Sequence, residues 1–541
     1  MFLQKNKAYA FVLGIFLLAA WRPSVKRPIS HANYAYNLFS PFVQVDKLIS
    51  TMRKYPKVEK QTPKKEEHTL NKKDLTLGVI PTRRDLSGEF FCNIDIAKAR
   101  KAQTEEKLRQ MGIKFVNIDF LNEEGIIRNG LDAKKVATEL KKQNVDALFA
   151  PHVNFGCEDA IAKTASLMDV PLLLWGPRDD SPDARGNRCT DSQCGLFATS
   201  KVLHQFGVEF SYMTNCKLDA PVFERVMNNF VSAAHVVKSV RGMRVGQFGV
   251  RPETFWSVKC NEMQLLERFG IEVVPITLIE LENMYKDSLK NGPVKEKVAH
   301  YKAHFNLKVD DDYLHRMAAM QLAIRKWADA FEVDAIASSC WDAFRQIAGV
   351  AACFVFSELT EEKLPVSCET DIHGAISSVI AQAATRWQKT SFLADITALH
   401  PTDDNTELFW HCGNFPRSAA RDKPHIATTF DSDLPGTGQF EMQSGAITIS
   451  RFDCGDDFYQ LLVAKGDVVD GPATNGKYGW VKFPDWAAIE HKVIYGPYIH
   501  HCAGTYADIS PVLYEACRYI PDLHVDMANP TSQEVEAWLR G

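Results

Sequence analysis

From Leu75 onward the apolar positions fall into a regular rhythm. Leu75–Ile80 (LTLGVI) is a strand-length apolar run, and Ala97–Met111 repeats its apolar residues at helical spacing. Phe115–Phe120 reads as a second strand, Ala133–Gln143 as an amphipathic helix, and Asp146–Ala150 (DALFA) as a third strand. Ala160–Met168 is helical and leads into Pro171–Trp175 (PLLLW). Near-continuous apolar strands alternating with helices predict a parallel sheet covered on both faces, joined by right-handed crossovers.

After the long helix expected over Val222–Val240 the rhythm restarts. Met243–Val250 is a strand, Cys260–Phe269 a helix, Ile271–Ile276 a strand, His315–Phe331 a helix and Asp334–Cys340 a strand. Beyond about Leu393 helical periodicity fades. Short alternating stretches take over at Ala446–Phe452, Gly466–Val469 and Tyr478–Phe483, punctuated by Pro435-Gly436-Thr437-Gly438 and Gly471-Pro472 turns, and a helix is expected over Ser510–Arg518. The fold class is therefore α/β: two parallel-sheet, Rossmann-like domains followed by a mostly β, barrel-like C-terminal domain. The expected boundaries are 1–73 (apolar leader and charged linker), 74–240, 241–390 and 391–541.

The N-terminus changes the picture. An apolar run over Ala8–Trp21 is flanked by Lys5, Lys7, Arg22, Lys26 and Arg27. Its length suits a signal-peptide core better than a membrane span, which needs about 20 residues. Against a secreted protein stand 13 cysteines, an odd number, without zinc-ribbon spacing and mostly inside apolar runs. They read as reduced, buried thiols. A cytoplasmic catalytic body is expected, with membrane contact only if residues 8–21 act as an anchor, and secretion as the alternative. Net charge is −4 in 541 residues, so no basic excess points to nucleic acid and the expected partner is a small molecule.

Four separated segments carry the candidate chemistry. In Pro365-Val366-Ser367-Cys368-Glu369-Thr370-Asp371-Ile372-His373-Gly374 an apolar approach ends in two carboxylates two apart at a helix start. Strand C-termini of α/β sheets are where catalytic groups gather, although Asp371 also suits a helix cap. Asp395 is an acid inside the apolar run Ser391–Thr397. His411 lies in Trp410-His411-Cys412-Gly413-Asn414, and His500-His501 stand side by side. Adjacent histidines on a strand face opposite ways, so one of the two is expected to reach a given site. Carboxylates mixed with imidazoles suit Mn²⁺, Mg²⁺ or Co²⁺ better than a thiolate zinc site.

This series resembles the ligand series of the L-fucose/L-arabinose isomerase superfamily: Glu369 in Glu-x-Asp, Asp395 26 residues on, His411, then His500-His501. Met243–Glu262 also resembles that family's second α/β domain, and Pro81-Thr82-Arg83-Arg84 its Arg-bearing loop after the first strand. The resemblance spans about Leu75 to Leu523. It implies an aldose–ketose isomerase of carbohydrate metabolism that works through a cis-enediol. Glu369 and Asp395 would be catalytic, and Mn²⁺ or another divalent cation would sit on Glu369, Asp395, His501 and His411. Arg83 or Arg84, His500 and Asp371 would be substrate contacts. It also implies a small sugar substrate and a homo-oligomer, trimer or hexamer.

The alternative is a non-catalytic two-lobed sugar-binding protein, which two α/β lobes and a leader would also suit. A Rossmann oxidoreductase finds no GxGxxG between strand and helix, since Gly246-Gln247-Phe248-Gly249 is not that motif. A cysteine nucleophile at Cys340 or Cys368 has no assignable histidine partner.

Overall fold

The computed structural model describes residues 74–86, 92–340, 343–428, 434–455 and 458–541. The apolar segment 8–21 and the charged linker up to residue 73 lie outside them. No helix among the described residues is long and apolar enough to cross a membrane.

The first sheet holds β1 (Leu77–Val79), β2 (Phe115–Val116), β3 (Ala147–Pro151), β4 (Leu172–Trp175) and β5 (Ser211–Tyr212), all parallel, in the order β2-β1-β3-β4-β5. β1, β3 and β4 are buried at every residue, as sheets with helices on both faces require. Helix Pro221–Val240 then leads to a second parallel sheet. It contains β6 (Arg244–Phe248) and β7 (Glu272–Ile276). β8 (Asn306–Leu307) leaves it to join the third sheet, while β9 (Ala335–Ser338) and β10 (Val366–Ser367) complete the order β10-β9-β6-β7.

The third sheet begins with β11 (Phe392–His400) and β12 (Asp403–His411), followed by β13 (His425–Thr428) and β14 (Pro435–Glu441). The long hairpin of β15 (Gly445–Cys454) and β16 (Tyr459–Val469) is next, then β17 (Lys477–Lys482), β18 (His501–Thr505) and β19 (Leu523–Asn529). Six strands pair around a closed antiparallel ring, β16-β15-β18-β11-β12-β17 and back to β16. β19 adds outside β16, and β14, β13 and β8 extend outward from β17. Closure removes the free edges that an open sheet would leave. The fold class read from the sequence is the observed one.

One helix ties these layers together. Apart from His373 and Gln382, the residues of Ile372–Ala384 are apolar or small, and all 13 are buried. A helix with no face turned to solvent has to be surrounded. It packs against helix Pro221–Val240, β9, β15 and β18, so both parallel units and the barrel meet on it. Its N-terminus is where the candidate chemistry lies.

Candidate functional site

β10 ends at Ser367, and the chain must turn sharply to enter the central helix. Glu369 and Thr370 both take left-handed backbone angles, φ 52° and 57°. Non-glycine residues there cost of order 1–3 kcal/mol each, and such strain clusters at functional sites. Asp371 follows as N-cap, accepting from the Gly374 amide at 3.0 Å. Gly374 has to be glycine: a Cβ would come within 2.5 Å of Asp371 Oδ2. Glu369 is thereby held at the C-terminal edge of the second sheet, pointing at the barrel.

The barrel supplies the rest. Asp395 on β11 is directly opposite His501 on β18, and opposite residues of an antiparallel pair project to one face. His411 ends β12, the other neighbour of β11. His501 Nε2 is 3.6 Å from Glu369 Oε2 and 3.4 Å from Asp395 Oδ1; His411 Nε2 is 3.9 and 3.7 Å from the same atoms. These separations are too long for hydrogen bonds and suit four groups facing one shared centre. Asp395 Oδ1 and His411 Nε2 are buried without a hydrogen-bond partner, which leaves each directed at that centre.

Behind this set lies a buried charged network. Asp371 Oδ2 accepts from His501 Nδ1 at 2.9 Å, and Arg451 Nη1 and Nη2 donate to the two Asp371 oxygens at 2.5 and 3.1 Å. Arg451 Nε donates to Asp453 at 2.8 Å, and His373 Nδ1 faces the same Asp453 at 2.9 Å. Burial alone would raise the Asp371 carboxyl, but Arg451 and His501 hold it well below the usual carboxylate range. An ionised Asp371 accepts a hydrogen bond from His501 Nδ1–H, so the neutral ring presents its Nε2 lone pair to Glu369 and Asp395. This is the carboxylate–histidine arrangement that orients metal-binding imidazoles.

His411 is prepared differently. Its Nδ1 accepts from the Gly413 amide at 2.9 Å, so the neutral ring carries its proton on Nε2. Lys477 on β17 fixes that loop from behind, donating to the Gly413 carbonyl at 2.6 Å. Burial pulls the Lys477 ammonium down to about 8.

Residues 78–241 match the family model of the fucose/sulfoquinovose isomerase N-terminal domain. Over 385 residues the chain is 27% identical to a sulfoquinovose isomerase from Alkalicoccus urumqiensis, covering 70% of this chain and 84% of that one. Over 391 residues it is 25% identical to a sulfoquinovose isomerase from Priestia megaterium, covering 70% and 85%. Along most of its length the chain thus resembles the fucose isomerase-like superfamily. Among solved structures, a periplasmic solute-binding protein from Actinobacillus succinogenes with bound D-allose matches at 11% identity over 58% of this chain and 92% of that one. Its TM-score is 0.14, and that likeness carries no argument.

In this fucose isomerase-like protein Glu369, Asp395, His411 and His501 therefore come together from two separate sheets. His500 departs from the alternation expected of it. It precedes β18 and is exposed, yet a ring nitrogen lies within 4.8 Å of donor atoms of Asp395 and His501. Strand alternation does not apply to a residue outside the strand. Arg83 and Arg84 are engaged within the first unit. Arg83 is buried in a two-point pair with Glu124 at 2.6 and 2.9 Å, whereas Arg84 pairs with Glu158 at 2.7 Å and stacks on Phe155. Sequence reasoning passed over Arg451, Asp453, His373 and Lys477. The available signal was Arg-x-Asp within a strand otherwise free of charge.

Proposed function

We propose that this isomerase converts an aldose to its ketose through a cis-enediol with a divalent metal held by Glu369, Asp395 and His501, and that its substrate is a sulfoquinovose-like sugar. The resemblance to the superfamily supports the aldose–ketose isomerisation, and the 24–27% identity to sulfoquinovose isomerases supports the choice of sugar. The observation that carries the metal is the donor set itself. A buried and a half-buried carboxylate, with an imidazole whose Nδ1–H is hydrogen-bonded to an ionised carboxylate, offer hard oxygen and borderline nitrogen donors around one centre. Mn²⁺ fits these donors, as do Mg²⁺ and Co²⁺.

When bound, the metal would polarise the sugar carbonyl as a Lewis acid. The residues of the chain do the proton work. Glu369 and Asp395 flank the shared centre, so one removes the proton from C2 of the open-chain aldose and the other returns a proton at C1. His411 presents Nε2–H to the same space and donates to a substrate oxygen rather than ligating, because its Nδ1 lone pair is engaged by Gly413. Asp371 and Arg451 keep His501 in the binding tautomer throughout. Binding alone would not call for two carboxylates and two histidines converging in a buried centre.

The test is turnover of sulfoquinovose, with L-fucose and L-arabinose as comparators, by the full chain with Mn²⁺ and after chelation. Turnover should need metal, and Glu369→Gln should lower kcat by at least about 10²–10⁴-fold. Full activity in chelator, or in Glu369→Gln, would overturn the reading.

A further inference from the structure

Glu369 faces two sets of donors of opposite chemistry. Its Oε2 looks toward the imidazoles of His411 and His501. Its Oε1 accepts from the Cys340 thiol at 3.7 Å. Cys340 follows β9 and Cys368 follows β10, and these are adjacent parallel strands, so their C-terminal turns emerge side by side. The Cys340 and Cys368 sulfurs and a Glu369 oxygen all lie within 4.8 Å of one another. Both thiols are reduced and buried.

Tetrahedral coordination with Zn–S bonds near 2.3 Å and Zn–O bonds near 2.0–2.2 Å places a sulfur and an oxygen ligand about 3.5–3.7 Å apart. The 3.7 Å already present between Cys340 Sγ and Glu369 Oε1 is close to that edge. Soft thiolates select Zn²⁺ and similar thiophilic ions, whereas the opposite set selects hard ones. We propose that Cys340, Cys368 and Glu369 form a second metal site, for a thiophilic dication such as Zn²⁺ or Cd²⁺, and that an ion there engages Glu369 and halts isomerisation. The binding stands on the thiol geometry alone; the inhibition rests on the isomerase reading.

Coordination displaces one proton from each thiol to solvent. Two thiolates and one carboxylate then oppose the 2+ charge, leaving one negative charge. The Lys477 ammonium, which is close enough to Cys368 to interact electrostatically, offsets it. The same carboxylate then serves two centres, so the electron density it offers the catalytic side falls and its freedom to take a proton is lost.

The experiment titrates full-length protein with Cd²⁺ and follows the ultraviolet thiolate-to-cadmium charge-transfer band. It compares wild type with Cys340→Ser/Cys368→Ser, and with Cys340→Ser alone should the double variant not fold. Wild type should show a saturating band. The variants should lose it, or need more than the roughly 10- to 100-fold higher concentration that loss of an outer-shell partner costs at a metal site. No band in wild type, or an equal band at equal concentration in both variants, overturns the site. In a parallel assay with Mn²⁺ present, Zn²⁺ should inhibit wild type at concentrations that leave the variants' own turnover unaffected. Equal Zn²⁺ sensitivity overturns the inhibition. A wild type inactive on every sugar counts against the isomerase reading, while the Cd²⁺ band still decides the site.

Discussion

Arg451 is almost wholly buried, yet it satisfies two carboxylates at once, holding Asp371 by both oxygens and Asp453 by one. Removing the guanidinium leaves both acids uncompensated in the interior. Arg451→Met should cost about 3–5 kcal/mol of stability in denaturant unfolding, and metal affinity measured by calorimetry should drop roughly 10- to 100-fold because Asp371, which orients His501, loses its own anchor. His411→Asn tests a different property of the same centre. It removes the Nε2–H and leaves Glu369, Asp395 and His501 in place, so kcat should fall by about 10²–10⁴-fold while calorimetric metal affinity stays close to wild type. A parallel loss of metal affinity would make His411 a ligand. Glu369, Asp395 and His501 were legible in the sequence because acids and imidazoles stand out in apolar runs. Arg451 was not, because a charge inside the alternating stretch Ala446–Phe452 looks like an outward position until the pairing puts both faces of β15 under cover.

At the scale of elements, helix Cys353–Glu361 carries a buried acid near its C-terminus. Glu358 lies 3.3 Å from His300 Nε2 and 3.4 Å from Arg417 Nε, and burial pushes its carboxyl up to about 7 despite Arg417. The folded value lies above the ordinary 4.5, so the folded chain holds this proton more tightly than the unfolded one. That stabilisation is complete below about pH 4.5 and is lost as pH rises through about 7. Glu358→Gln should therefore be more stable than wild type by roughly 2 kcal/mol near pH 8, with the gap closing or reversing near pH 5. Urea midpoints at the two pH values check it. This helix, Leu278–Asn291 and Val294–His304 were not read from the pattern. Val294–His304 buries only Val294, Val298 and Tyr301 and so has little stripe to detect. Leu278–Asn291 did announce itself, through the Thr277-x-x-Glu280 capping box that the structure forms. The parallel strands were legible because burial on both faces demands unbroken apolar runs. The barrel-like character of the C-terminal part was expected from its alternation and turns, but which strands close it was not legible, since the pairing of β16 with both β15 and β17 leaves no local mark.

Across the whole molecule, the donor set joins two sheets, with Glu369 at the end of β10 and Asp395, His411 and His501 on the barrel. An ion bound only by the folded chain stabilises it by mass action, by about 2.7 kcal/mol when free metal is one hundred times Kd. Chelation should thus lower the melting temperature of wild type by several degrees and leave that of Glu369→Gln much less affected. Scanning calorimetry with and without chelator measures both.

β8 ties two layers of the fold together a second time. This two-residue strand belongs in sequence to the second parallel unit but pairs with β13 on the barrel's outer margin, where Asn306 donates to the Pro424 carbonyl at 2.9 Å and Lys308 to that of Ile426 at 3.0 Å. Those main-chain bonds stitch the second unit to the barrel at a place separate from the Glu369 junction. Two attachments oppose a hinge motion of the second sheet against the barrel. Glu369 on one side and Asp395, His411 and His501 on the other therefore keep their spacing through main-chain bonds as well as through their own side chains.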